Sequence, residues 1–175
     1  NGTLTVGSAS SLIFNTNTNT ATIPDGLFTT VPATFSGLTI NRAGGLVLGN
    51  QEINVTGTTT LTIGIVTVLN ADVQITTISG TPDATKMFVT LGTGKLKKSF
   101  PVVTSGSSSF TFPVGDITDV AEYSPYYISF TANSVAGIVA VGVTNVKHPN
   151  NAETDNYIKR YWTIATTGLT NYTYN

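Results

Sequence analysis

The residues between Gly37 and Gly80 repeat one short pattern, in which two apolar residues flank a polar one and Gly or Asn soon follows. Six such apolar pairs are present: Leu38-Ile40, Leu46-Leu48, Ile53-Val55, Leu61-Ile63, Val66-Val68 and Val73-Ile75. Strand side chains alternate between two faces, so each pair marks the buried face of a short strand. A helix needs apolar residues at three-to-four spacing, which this stretch lacks. The pattern predicts β structure, and the stretch contains no catalytic group.

A longer period runs through the same stretch. Leu38 lies 23 residues before Leu61, and Leu46 lies 23 residues before Leu69. Three short strands in each turn of roughly 20–25 residues are typical of a β-solenoid, in which each turn covers the apolar face of the next. An antiparallel meander could use the same strands. The sequence therefore predicts a solenoid-like or meander β stack over residues 1–80.

The pattern changes after the turn-forming residues 80–83. Longer apolar segments follow, at Met87–Leu91, Tyr126–Phe130, Ile138–Val146 and Tyr157–Ile164. They predict a β-sandwich over residues 84–175, continuous with the first stack, so the whole chain is expected to be all-β. Phe112 and Trp162 lie in apolar strands and are predicted to be buried, because large aromatic side chains dominate core burial.

The composition agrees with this fold class and excludes two kinds of partner. The chain has 33 Thr, 17 Val and 13 Ile, and such β-branched residues favour strands. The net charge of −1 leaves no electrostatic footprint for nucleic acid. No apolar run approaches the roughly 18 residues that a membrane span needs, so membrane insertion is not expected. A charge-poor, Thr/Gly/Asn-rich β chain is typical of secreted bacterial surface proteins, which predicts an extracellular location.

The chain offers little for catalysis. His148 is the only imidazole, it precedes Pro149 in a polar turn, and Cys is absent, so nucleophilic chemistry and zinc have no support. No catalytic residue, no cofactor and no enzyme activity are predicted. Asp116, Asp119 and Glu122 share one loop, for which a solvated turn is the favoured interpretation and a site for a structural Ca²⁺ is the weaker alternative.

Two further groups of residues suggest ligand contacts. Lys95 and Lys97 alternate with Leu96, which predicts a solvated strand face, with a ligand patch as the alternative. Tyr123, Tyr126 and Tyr127 are candidates for a platform on which a sugar stacks. Tyr126 and Tyr127 point to opposite faces, so at least one of these two belongs to the core. Three Asn-x-Thr sequons, at Asn1, Asn54 and Asn171, are candidate glycosylation sites.

Several motifs occur together in an order that resembles a known group of proteins. These are Phe88–Lys98 (FVTLGTGKLKK), Ser109–Gly115 (SFTFPVG), Tyr123–Pro125 and Tyr161–Ile164 (YWTI), with Gly2–Gly7 and Phe35–Gly45 upstream. The chain resembles large surface proteins of gliding-type bacteria that are exported by type IX secretion. The resemblance implies an extracellular adhesin or fibre protein, and it brings no catalytic residues.

The two ends of the chain carry no charge. Residues 1–14 and 169–175 contain no Lys, Arg, Asp or Glu, although natural edge strands usually carry charges that prevent pairing. The candidate assembly residues are Leu4, Val6, Leu12, Phe14, Leu169, Tyr172 and Tyr174. We expect a terminal strand of one copy to complete the sheet of the next, a contact that propagates into a head-to-tail filament. The alternative is that both ends are processed or truncated boundaries and that the chain beyond Asn175 completes the sheet.

The sequence therefore predicts a structural protein that is a subunit or repeat of a bacterial surface filament or adhesin, with itself as its main partner. A carbohydrate-binding adhesin module is the second hypothesis. A polysaccharide-active β-helix enzyme is the third, and it would need two carboxylates positioned in a cleft.

Overall fold

A computed structural model describes residues 3–175, which form strands and no helix. The first nine strands are β1 (Ser11–Phe14), β2 (Ala21–Ile23), β3 (Ala33–Asn41), β4 (Leu46–Leu48), β5 (Ile53–Ile63), β6 (Val66–Val68), β7 (Val73–Ile75), β8 (Thr77–Ser79) and β9 (Phe88–Thr90). The others are β10 (Leu96–Phe100), β11 (Ser108–Phe112), β12 (Val114–Asp116), β13 (Glu122–Tyr123), β14 (Tyr126–Ala132), β15 (Gly137–Thr144), β16 (Tyr161–Thr167) and β17 (Thr173–Tyr174).

The strands form three sheets. The first is eight-stranded in the order β1-β3-β5-β7-β10-β15-β16, with β8 attached to β5. The second is six-stranded in the order β13-β12-β9-β6-β4-β2, and the third contains β11, β14 and β17. Pairing is parallel from β1 to β10 in the first sheet and from β2 to β12 in the second. The prediction of an all-β, solenoid-like stack is confirmed, with about five turns.

Each turn of the stack visits three faces. The first face holds the beginnings of β3 and β5, together with β7 and β10. The second holds β1, the ends of β3 and β5, and β8, while the third holds β2, β4, β6, β9 and β12. The core lies between the faces because inward positions stack in register. On the third face Leu46, Val66, Phe88 and Val114 form one such row, and all four are buried.

Corners between faces need tight backbone turns. Gly64 adopts a φ of +108° beside the preceding turn, and an added Cβ would collide with the carbonyl oxygen of Arg42. Only glycine combines this dihedral with such close approach. The glycines that end the sequence repeats therefore mark corners of the stack.

The parallel stack continues beyond residues 80–84, where the sequence predicted a change to a sandwich. By parallel pairing, β9 and β12 extend the second sheet and β10 extends the first sheet. Residues 80–83 therefore form a corner of a turn. After β12 the chain becomes antiparallel. The strands β15 and β16 extend the first sheet, and β14 and β17 form the third sheet with β11.

The two aromatic residues predicted to be buried have different environments. Phe112 is fully buried in the core cluster, as predicted. Trp162 is 38% exposed, so its prediction is wrong. The reason is topological, because Trp162 lies on β16, the last strand of the first sheet, and has no strand beyond it to cover its ring.

Candidate functional site at the two ends of the stack

The strand β1 is one edge of the first sheet and, in the part of the chain that the structure describes, pairs only with β3. Its core-facing residues Leu12 and Phe14 lie opposite the buried Leu38 and Ile40, yet both remain half-exposed. Ile13, between them, points outward and is exposed. This end of the core therefore presents apolar side chains next to unpaired backbone groups.

Leu4 and Val6, which precede β1, contact the stack. Leu4 forms an isolated parallel bridge with Phe28, and the Leu4 N–H donates to the Leu27 carbonyl at 2.6 Å. The Leu4 side chain is exposed, whereas Val6 is half-buried against the core. Both candidate assembly residues thus lie at the end of the stack where β1 is located.

The strand β16 is the opposite edge of the same sheet, and its one partner among the described strands is β15. Trp162 and Ile164 lie opposite the buried Val143 and Val141, so they face the core side, yet Ile164 is 45% exposed. The Trp162 indole N–H donates to the carbonyl of Ser124 at 2.9 Å, which fixes the ring at this edge. Apolar residues on the core side of β16 are left uncovered, as they are on β1.

The segment after β16 is bound within the same chain. Leu169 is buried, and β17 pairs with β14 through Phe130 and Tyr174. The backbone groups of Asn175 and Ser129 exchange two hydrogen bonds, at 2.9 and 3.0 Å. The candidate assembly residues Leu169, Tyr172 and Tyr174 therefore contact their own chain: Leu169 is buried, Tyr172 packs on Phe130, and Tyr174 pairs in the third sheet.

A groove of about 240 Å³ separates β16 from the third sheet. It is lined by Tyr126, Ile128, Phe130, Ile164, Thr166, Tyr172 and Tyr174. The rings of Tyr172 and Tyr174 pack edge-on against Phe130, with centroids 5.8 and 6.4 Å away. The groove is the open end of the core, and its walls are aromatic and aliphatic.

The acidic loop proposed for calcium is contacted by an arginine from a distant part of the chain. The Arg160 guanidinium lies 2.5 Å from Asp116 Oδ2 and also forms an ion pair with the Glu122 carboxylate. Asp119 has a φ of 66° and is exposed. The guanidinium thus supplies positive charge to two of the three carboxylates that the calcium hypothesis uses. Over residues 3–175, no group of three or more His, Cys, Asp or Glu side chains is arranged to hold a metal ion.

A cleft of about 410 Å³ adjoins this loop and contains Asp119 and Glu122 together with Lys159 and Arg160. A glycosidase needs one carboxyl as acid and a second as base or nucleophile. Because Arg160 binds the Glu122 carboxylate, the cleft does not present such a pair.

The remaining candidate residues are spread over the surface. Asn1 lies outside the described residues, Asn54 is half-buried beside Gln74 on the first face, and Asn171 is exposed and donates to the Ser134 hydroxyl at 3.3 Å. The His148 ring packs edge-on against Tyr161, with a centroid distance of 4.9 Å.

Tyr127 is exposed and Tyr126 half-buried, as alternation predicted. Lys97 lies on β10 and Lys95 directly precedes it; β10 is not an edge strand, because β7 and β15 flank it.

Two charged residues with structural consequences were not identified from sequence. Arg160 has no local signal, because its hydrogen-bond partner Glu122 lies 38 positions away. Lys98 did carry a signal: it shares the inward-facing spacing of Leu96 and Phe100, which places a charge on the core side of β10.

No protein-family model matches this chain, and no curated protein or solved structure matches it either. The resemblance to bacterial surface proteins therefore stays a prediction from the motifs. Within residues 3–175, no helix is long and apolar enough to cross a membrane.

Proposed function

We propose that this protein is an extracellular structural subunit, or repeat, of a bacterial surface filament or adhesin. Copies assemble head-to-tail through pairing of their edge strands. The main observation behind the proposal is that the two edge strands of the first sheet share the same properties. Both β1 and β16 are unpaired on one side among the described residues, and both leave core-facing apolar side chains uncovered.

The strand directions favour this assembly. The strands β1 to β10 pair in parallel, and two antiparallel steps then lead through β15 to β16, so β16 runs around the stack in the same sense as β1. Because β1 lies on the second face and β16 continues the first, a second copy placed further along the stack must also be rotated about the stack axis to bring its β1 beside β16 as a parallel pair. Its Leu12 and Phe14 would then lie on the same side of the sheet as Trp162 and Ile164.

The chemistry of the edges supports the same arrangement. Residues 3–14 and 161–175 contain no Lys, Arg, Asp or Glu. Edge strands usually avoid association by carrying charge or proline. The groove beside β16 also offers apolar space for the incoming core-facing side chains. Such a contact joins two different surfaces, so it propagates into a filament instead of closing into a dimer.

Disulfide trapping tests which strands meet. The chain has no Cys, so each introduced thiol is unique. Ile13→Cys on β1 and Ala165→Cys on β16 place thiols on the outward faces of the two edges, and mixing the two variants under oxidation should produce a disulfide-linked dimer. Thr131→Cys, exposed on β14, is the matched control and should not link to Ile13→Cys. Equal linking to both positions would contradict the proposed pairing.

A carbohydrate-binding adhesin module is a second candidate. Exposed Tyr127, Tyr172 and Tyr174 rings support it, because aromatic faces are suitable platforms for sugars. Binding to a glycan array that disappears in Tyr127→Ala, and persists in Thr131→Ala on the same strand, would favour this function over a purely structural one.

A further inference from the structure

The second face of the stack is interrupted near its end. Among the strands of residues 3–175, β8 pairs only with β5, and β11 pairs only with β14. Both strands precede third-face strands, β9 and β12, that pair with each other in parallel. The free edges of β8 and β11 therefore face a break in the sheet, and a cleft of about 460 Å³ occupies it.

Lys98 lines this cleft from the core side. On β10 it lies opposite Ile75 of β7 and Val139 of β15, both fully buried, so its side chain belongs to an inward-facing apolar row. Its Nζ lies 5.5 Å from the centroid of the Phe110 ring and 5.9 Å from that of Phe100. Burial lowers the pKa of Lys98.

Lys98 has no ion-pair partner among the described residues, in contrast to the neighbouring Lys97. Lys97 points outward and forms ion pairs with Asp72 and, at 3.8 Å, with Glu52. Among residues 3–175, no carboxylate lies within 4.0 Å of the Lys98 Nζ. A half-buried cation without a counter-charge is unfavourable, and the nearby rings of Phe100 and Phe110 compensate only weakly for its lost hydration. An anionic group in the cleft would supply the missing charge.

We propose that this cleft binds an extended acidic peptide segment as an added strand between β8 and β11, with an Asp or Glu side chain paired to Lys98. Both walls are strand edges, so the added segment gains main-chain hydrogen bonds on each side. Alternation directs every second side chain toward the core, where Lys98 lies. This site is separate from the β1 and β16 edges and does not depend on the filament.

The size of the cleft agrees with a short strand. One residue of a strand occupies roughly 3.3 Å in length, 4.8 Å in width and 10 Å in thickness, or about 160 Å³. The volume thus accommodates about three residues, which matches the length of β8. Apolar walls from Ile78, Phe110 and Tyr123 flank the charge, and Tyr123 is itself partly desolvated, which raises its pKa.

Fluorescence anisotropy of labelled peptides tests the proposal. The probe is acetyl-Val-Thr-Glu-Thr-Val-amide, whose central Glu shares a face with the two Val side chains, and the control has Gln in place of Glu. We expect the Gln peptide to bind roughly 10- to 100-fold more weakly, because one charge-assisted hydrogen bond is lost. Equal affinity of the two peptides, or no binding of either, would overturn the proposal.

Protein variants test the role of Lys98 independently. Lys98→Met keeps an unbranched side chain between Ile75 and Val139 but removes the charge, and it should bind the Glu peptide as weakly as the wild type binds the Gln peptide. Lys97→Met removes a charge from the other face of the same strand and should leave peptide affinity unchanged. If Lys98→Met does not fold, the comparison of the two peptides still decides the matter.

A charged sugar provides the last comparison. Tetragalacturonate carries carboxylates but no peptide backbone, and we expect it to compete only weakly with the Glu peptide. If tetragalacturonate displaces the labelled Glu peptide at a lower concentration than the unlabelled Glu peptide does, the cleft is a site for acidic sugar and the peptide assignment is overturned.

Discussion

Arg160 is the residue whose charge the fold depends on most directly. Asp116 is only 3% exposed, and Arg160 is the cation beside its Oδ2. The same guanidinium contacts Glu122 and the hydroxyl of Ser124. It thereby ties the segment before β16 to β12 and β13.

Replacing Arg160 with Met should lower the free energy of unfolding by about 3–5 kcal/mol, because Asp116 would remain buried without its counter-charge. Asp119→Asn is the control, since that side chain is exposed and Asn tolerates a positive φ; its effect should stay within about 0.5 kcal/mol. Urea titration measures both. A loss below about 1 kcal/mol for Arg160→Met would contradict the structural role of this ion pair.

Phe112 and Trp162 should differ in the same measurement. Phe112→Ala removes a fully buried ring and should cost about 3–5 kcal/mol. Trp162→Ala removes a partly exposed ring and one hydrogen bond, so roughly 1–2 kcal/mol is expected. Equal losses would mean that the Trp162 ring is covered in solution. Repeating the titration at low protein concentration distinguishes coverage by a second copy, as in a filament, from coverage within the same chain.

At the scale of elements, one corner of the stack carries a ladder of polar side chains. The Asn50 amide donates to Asp25 at 2.5 Å, and the Asn70 amide donates to Asn50 at 2.9 Å. The three residues are separated by 25 and 20 positions, which is the length of a turn. The ladder therefore fixes the register of successive turns from outside the core.

The ladder should make stability depend on pH. The Asn50 backbone N–H, and then its side-chain amide, hold the pKa of Asp25 below its ordinary value of 3.8. This contribution is present above 3.8 and is lost as the pH falls through the lowered value. The drop in Tm between about pH 6 and about pH 3 should be smaller in Asp25→Asn than in the wild type. The same drop in both proteins would contradict a role for this carboxylate.

Sequence predicted the turns of the stack well because their signal is local and repeated. The alternation in Ile53-Asn54-Val55 and the corner at Gly64 need no knowledge of distant contacts. The antiparallel addition of β15 and β16 depends on pairing with β10, more than 30 residues upstream of β15, so sequence could not show where the parallel stack ends. For the same reason the exposure of Trp162 could not be predicted, since an apolar strand has the same pattern at an edge as in a core.

At the scale of the whole molecule, the candidate assembly residues are divided between two situations. Leu12 and Phe14 lie on an edge of the first sheet, as the charge-free termini suggested. Tyr174 pairs within a sheet of its own chain and Tyr172 packs beside it on Phe130. The strand β16, which sequence did not propose for assembly, provides the second edge. An edge is a property of the completed sheet order, so apolar pattern alone cannot identify it.

The proposed assembly has a definite axial spacing. Seven strands, β1, β3, β5, β7, β10, β15 and β16, follow one another along the first sheet. Strands within a sheet are about 4.8 Å apart, so parallel pairing of β16 with the next β1 adds one copy about every 34 Å. An uninterrupted sheet along the filament also predicts a strong spacing at about 4.8 Å along its axis.

Electron microscopy of the purified protein of residues 1–175, with measurement of the axial repeat, tests the head-to-tail assembly most directly. Parallel pairing of β16 with the next β1 should give unbranched filaments with a subunit repeat of about 34 Å, reduced for any tilt of the strands. Ile164→Lys, which places a charge on the uncovered side of β16, should abolish them while leaving the monomer folded. Monomers alone, or filaments whose repeat and formation are unchanged by Ile164→Lys, would contradict head-to-tail assembly through these edges.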